Sequence, residues 1–249
     1  MTDTLLNHRS IRKYKPDPIP TQILDYILEA GTRASTTGNM QLYSIVVTTE
    51  EDLKEELSPC HFNQGMVKEA PVVLTFCADF NRFKLWCEQR QAEPGYDNFL
   101  SFFTAAIDAL LVAQNVCVAA EDAGLGICYL GTTTYMAGKI IEILDLPKGV
   151  VPVTTVTVGY PDEWPELTDR LPLDAVVHRE KYQDYTESDI DNHYREKELM
   201  ATYQAFVKEN KKETLAQVFT DVRYKKEDNE LFSKALLDIL TKQGFMIHP

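Results

Sequence analysis

Residues 100–120 read LSFFTAAIDALLVAQNVCVAA. The stretch is long and apolar enough to cross a bilayer, and its reading decides what kind of protein this is. Asp108 stands near its middle, and Gln114 and Asn115 follow. An aspartate at the centre of a span costs roughly 2.5–3.5 kcal/mol to insert. The flanks, EPGYDN before and EDAG after, carry charges that suit a soluble helix. The segment is therefore predicted to be a buried helix of a soluble, non-membrane protein. A helix apolar on nearly every side must be covered on nearly every side, and a partner subunit could supply part of that cover.

Around this helix the pattern alternates between strands and helices. LYSIVVTT (42–49), APVVLTFCAD (70–79), GICYLGT (126–132) and VVPVTTVTVGYP (150–161) are β-branched and apolar, as strands are. In PDPIPTQILDYILEAGTRAS, Pro18 and Pro20 block an earlier start and Thr21 can cap. Ile23, Leu24, Ile27 and Leu28 then line one helical face. Thr49 and Asp52 resemble a capping arrangement for EEDLKEEL. After residue 161 the stretch DEWPELTDRLPLDAVVHREKYQDY carries no regular pattern. Polar helices are expected at about 188–212 and 228–243. No linker interrupts 21–161, so the expectation is one domain over 1–249, with a core of about 1–161 and a C-terminal extension of about 162–249.

The chain has 249 residues, 44% hydrophobic and 10% aromatic, an ordinary globular composition. Its 38 acidic and 25 basic side chains leave a net charge of −13, which argues against nucleic acid as a partner. The cysteines, at 60, 77, 87, 117 and 128, are odd in number and form no C-x-x-C pair. Reduced thiols in the cytoplasm are expected. MTDTLLNHRS shows no apolar run after a basic segment, so no signal peptide is expected. GLGICYLG has the wrong spacing for a dinucleotide fingerprint, and its glycines precede a strand. Gly124 reads as a helix C-cap. No phosphate-loop, serine-nucleophile or zinc-protease motif occurs, and the five histidines are scattered. No metal site is expected.

Against that acidic background, HRSIRKYKPD (8–17) gathers Arg9, Arg12, Lys13 and Lys15. A nucleic-acid arm, a solvated turn and an anion site are the open readings. Four more polar clusters follow: RASTTGNMQ (33–41), FNQGMVKEAPVVLTFCADFNR (62–82), GLGICYLGT (124–132) and ELTDRLP (166–172). In this order the five clusters resemble the FMN-dependent nitroreductase family, most closely its NADPH-preferring nitroreductases and flavin reductases. The resemblance runs from about residue 5 to 185. It implies an α+β fold, with a central mixed, mainly antiparallel sheet flanked by helices. It further implies a homodimer with FMN at the interface and an extension that wraps the partner subunit.

The resemblance also assigns roles. Arg9 and Arg170 fall where the FMN phosphate is held, a task that suits a bidentate guanidinium. His8 and Ser10 fall close by. Arg12 matches the position facing N1 and C2=O of the ring, where a cation favours the charge of the reduced form. Gln64 matches an amide that reaches the ring or ribityl chain. Tyr129, Leu130, Gly131 and Thr132 match the segment beside N5. Ser35, Thr36, Asn39 and Gln41 match a loop that lines the cofactor of the neighbouring subunit. Two positions depart from the pattern. Thr168 stands where relatives carry a phosphate-binding lysine, and the C-terminal run offers Lys208, Lys211 and Lys212 but no arginine for the NADPH 2′-phosphate. The implied activity is ping-pong transfer from NADPH or NADH, through FMN, to nitroaromatics, quinones or flavins. The alternative is a non-catalytic FMN-binding or storage protein.

Overall fold

The structure is a computed structural model and describes residues 2–248. The helices are α1 (Thr2–Leu6), α2 (Thr21–Thr32), α3 (Glu51–Leu57), α4 (Met66–Glu69), α5 (Asn81–Gln89), α6 (Phe99–Asp122), α7 (Ala137–Ile143), α8 (Glu187–Leu199), α9 (Ala201–Glu209), α10 (Leu215–Val218) and α11 (Lys226–Gln243). The strands are β1 (Tyr43–Thr48), β2 (Val72–Asp79), β3 (Gly126–Leu130) and β4 (Val150–Gly159). Two compact units result. The first runs to Glu166 and resumes at Phe232; the second is Leu167–Leu231.

In the first unit the four strands form one antiparallel sheet in the order β1-β2-β4-β3. Its one parallel contact is a bridge from Ser10 to Ile127. Pro152 lies inside central strand β4, where a missing N–H would break a ladder. It is accommodated by a bulge on its own strand: Phe76 pairs with Thr154 and Cys77 with Pro152, leaving Val153 as the extra residue beside the proline. Every residue of β2 is buried. Leu74, Phe76, Val156 and Val158 pack on one face with α2 and α6. Val73, Cys128 and Leu130 pack on the other with Leu57, Val67 and Ile140. A sheet covered on both faces explains why its strands read as unbroken apolar runs.

Helix α6 is the long apolar segment. The Asn98 side chain caps it, accepting from Ser101 N–H at 3.0 Å. Gly124, with φ +79°, ends it. Ala109, Val112, Ala113, Val116 and Ala120 face the sheet. Asp108 is buried and accepts from the Thr37 and Leu42 N–H groups at 2.9 and 3.2 Å, so the charge that spoke against a membrane span is fully employed. The opposite face stays bare: Leu100 is 71% exposed and Phe103 53%, with Ile107, Leu110 and Leu111 beside them.

Several local expectations are corrected. Pro20, not Thr21, occupies the N-cap of α2, because its extended backbone already sets the turn. Glu50, not Thr49, caps α3, and no side chain bonds there. The helix expected over 188–212 breaks at Met200, whose ψ of 132° is extended. It yields α8, opened by a Thr186–Asp189 capping box, and α9. Helices α5 and α7 were not anticipated. The stretch after residue 161 holds only a single 3-10 turn, Leu173–Ala175, before α8.

Candidate active site

The first cluster reaches the sheet through two glycines. Gly126 and Gly159 pair across β3 and β4. A Cβ on Gly126 would sit 2.7 Å from Ile11, and one on Gly159 2.6 Å from Pro71 and 2.8 Å from Tyr14. Without side chains there, residues 10–15 cross close over the sheet end. Ile11 N–H donates to Ile127 O and Lys15 N–H to Tyr160 O, both at 2.9 Å. Buried Tyr14 locks the crossing: its hydroxyl donates to Ile11 O at 2.7 Å and lies 2.8 Å from Thr157 Oγ1. Burial holds this phenol far above its usual pKa, so it stays protonated.

His8 Nδ1 lies 2.8 Å from Glu121 Oε1. Arg9 donates from Nε to Pro165 O and from Nη1 to Asn7 O, each at 2.8 Å, and its guanidinium lies 5.0 Å from the Trp164 ring centroid. Arg9 and Trp164 border a cavity of about 150 Å³ that also touches Ile11, Glu121 and Gly126. The Arg12 side chain is exposed and reaches only Ser10 O, at 3.4 Å, while its backbone N–H donates to Glu163 Oε1 at 2.7 Å. Glu121, Glu163 and Trp164 were absent from the sequence-based set. The one available signal was that DEWPEL directly follows the strand over which the first cluster crosses.

At the far end of β3, Leu130 and Thr132 are buried, while Gly131 is open: a Cβ there would meet no atom within 4 Å. Tyr129 OH lies 3.4 Å from Gln114 Oε1. Thr132 Oγ1 lies 2.9 Å from Nδ1 of His61, a residue with 0% exposure. His61 O accepts from Gln64 Nε2 at 3.0 Å. One histidine thus fixes both Thr132 and Gln64. Burial pushes its pKa down to about 4, and Nε2 has no hydrogen-bond partner. The sequence-based set of site residues did not include His61. Phe62, Tyr135 and Phe232 stack beside it, with Tyr135 and Phe232 at 4.4 Å and 10°.

Ser35, Thr36, Asn39 and Gln41 lie on the loop between α2 and β1. Asn39 and Gln41 adopt positive φ, 55° and 56°. Among the described residues no hydrogen bond joins this loop to the first cluster or to 129–132; its anchors are Asp108 and Arg82. In the second unit, Arg170 Nη1 donates to the Thr168 and Asp169 carbonyls at 3.2 and 2.9 Å. Asp169 in turn takes Lys197 Nζ at 2.7 Å and Tyr203 OH at 2.6 Å. Lys208 and Lys211 are exposed, whereas Lys212 pairs with Asp221 at 2.8 Å.

Residues 5–160, which contain the sheet and the crossing segment, match the nitroreductase family model. The chain belongs to the nitroreductase family. This nitroreductase is 35% identical over 182 residues to the FMN reductase (NADPH) of Bacillus subtilis, covering 72% of this chain and 73% of that one. It is 33% identical over 218 residues to the NADPH-flavin oxidoreductase of Vibrio harveyi, covering 88% of each. A solved protein of Bacteroides fragilis NCTC 9343 superposes with TM-score 0.97 at 59% identity, over 98% of this chain and 99% of that one. That superposition extends beyond the family match to include the second unit of the nitroreductase.

Proposed function

We propose that this nitroreductase is an FMN-dependent NAD(P)H oxidoreductase that reduces nitroaromatics, quinones or flavins by a ping-pong scheme. The observation that carries the reading is the glycine-permitted crossing, which seats the arginine-bearing segment 8–12 along β3, with open Gly131 at that strand's end. The residues fit FMN. Arg9 spends Nε and Nη1 on carbonyls and keeps Nη2 for a phosphate. Arg12 carries a cation that no carboxylate pairs among the described residues. The open main chain at Gly131 admits a flat ring.

FMN, when bound, supplies two-electron exchange between NAD(P)H and the acceptor. The chain supplies placement and charge. Arg12 would offer its cation to the negative charge that a reduced ring carries. Buried His61 fixes Gln64 and Thr132, which would meet the ring or the ribityl chain. No side chain acts as a nucleophile. In the second unit Arg170, with Thr168 in place of a lysine, is a further candidate for a phosphate, and Lys208 and Lys211 offer exposed charge for the NADPH 2′-phosphate. The bare face of α6 packs against a second copy, as burial of so much apolar surface favours. Across that interface Ser35, Thr36, Asn39 and Gln41 line the partner's cofactor, and the extension wraps the partner. Five buried, unpaired cysteines suit a cytoplasmic location. Storage of FMN without turnover finds no support in the relatives, which are named as reductases.

The test is reconstitution with FMN followed by sedimentation and steady-state assay. One FMN per subunit, a dimer, and NAD(P)H-driven reduction of a quinone are expected. A colourless protein after reconstitution would refute the proposal.

A further inference from the structure

A second hollow, of about 550 Å³, lies between the α2–β1 loop and α5, lined by Gly38, Asn39, Met40, Arg82, Phe83 and Trp86. Its size is that of a small-molecule site. We propose that this hollow binds a planar aromatic carboxylate, with Arg82 taking the carboxylate and Trp86 the ring.

Arg82 begins the argument. Its Nη2 donates to the Gln41 and Tyr43 carbonyls, the latter at 3.2 Å, which fixes the guanidinium without neutralising it. Nε and Nη1 make no hydrogen bond, and no acidic side chain pairs with the guanidinium among the described residues. Asp79 is occupied elsewhere, by the Arg82 backbone N–H at 3.3 Å and the Ser44 hydroxyl. In a chain of net charge −13, a guanidinium held rigid, with Nε and Nη1 still to donate, is a ready partner for one carboxylate.

Trp86 stands one turn beyond Arg82 on the same face of α5. It is 55% exposed, yet its position is supported. Phe83 meets it edge-on at 5.4 Å and is itself packed on Tyr96 at 5.5 Å, and Tyr96 stacks on Phe80 at 4.7 Å. The opposite wall is equally fixed. Asp108 holds Thr37, and Gly38 and Asn39 follow at φ 56° and 55°. An aromatic ring between Trp86 and Met40, with its carboxylate on Arg82, matches the groups that the hollow presents.

The test uses the FMN-loaded protein with 2-naphthoate and its neutral counterpart 2-naphthamide, followed by titration calorimetry. Saturable binding of the carboxylate is expected, with the amide ~10-fold weaker or worse because the ion pair is lost. Arg82→Gln, which removes the charge, and Trp86→Ala should each weaken naphthoate ~10-fold. FMN content should be unchanged in Trp86→Ala. Trp86→Ala guards against loop damage in the arginine variant, since that ring is largely outside the core. Equal affinity for amide and carboxylate, unchanged binding in Trp86→Ala, or no saturable binding would each overturn the proposal.

Discussion

The crossing segment 8–15 and the loop 33–41 are both polar, both predicted to touch one cofactor, and held in opposite ways. The crossing segment is bonded to the sheet by main chain, over two glycines that leave it no other path. The loop hangs from a buried carboxylate, Asp108, and a guanidinium, Arg82. One is thus part of the fold's own hydrogen-bond ladder. The other is a displayed loop, bonded to the rest of its unit at Thr37, Gln41 and Leu42. In the proposed dimer, the first would act within its own subunit and the second across the interface.

Damage to the two should therefore look different. Gly159→Val drives a side chain into Pro71 and Tyr14 and should have the largest effect, about 3 kcal/mol or more by overpacking, with loss of FMN. Chemical denaturation and flavin absorbance would check it. Gly38→Ala, whose Cβ would meet only Met40 at 3.9 Å, should cost only about 1 kcal/mol of backbone strain and retain FMN. Equal losses in both would erase the distinction.

His61 sharpens the comparison through pH. Buried and neutral, it titrates near 4 in the fold but near its ordinary value of 6.5 when unfolded. Between those values the unfolded chain binds the extra proton. The stabilisation is complete above 6.5 and is lost as pH falls toward 4, by up to about 3 kcal/mol. His61→Gln should flatten this slope relative to the native protein; an identical slope would mean His61 is solvated.

Asp108→Ala leaves two backbone donors unpaired and should cost about 2 kcal/mol. Amide exchange should quicken at Thr37 and Leu42 while Ile11 keeps its protection. Loss of protection at Ile11 as well would mean that loop and segment are one cooperative element. Arg12→Ala should act on the reaction, with little effect on the fold. FMN should remain bound while its reduction slows roughly tenfold, about 1.4 kcal/mol on the barrier.

The four strands were legible because each carries its own apolar, β-branched run, and a sheet covered on both faces requires no alternation. Helices α5 and α7 were not, since NRFKLWCEQ is largely polar and AGKIIEI is short and holds a glycine. Of the candidate site, Arg9, Arg12 and the 129–132 segment were singled out through their order along the chain. What brings them together is a pairing of Gly126 with Gly159, a contact between distant positions whose cause is the absence of side chains. His61 and Glu163 escaped for the same reason. Their roles come from Thr132, Gln64 and the Arg12 backbone, which no local pattern links to them.

The central claim is that this arrangement serves electron transfer from a nicotinamide donor through bound FMN. Anaerobic stopped-flow mixing of the FMN-loaded protein with NADPH and, separately, NADH tests it most directly. Bleaching of the flavin absorbance by at least one donor, with NADPH the faster, is the predicted result. Bound FMN that stays oxidised with both donors would contradict the account.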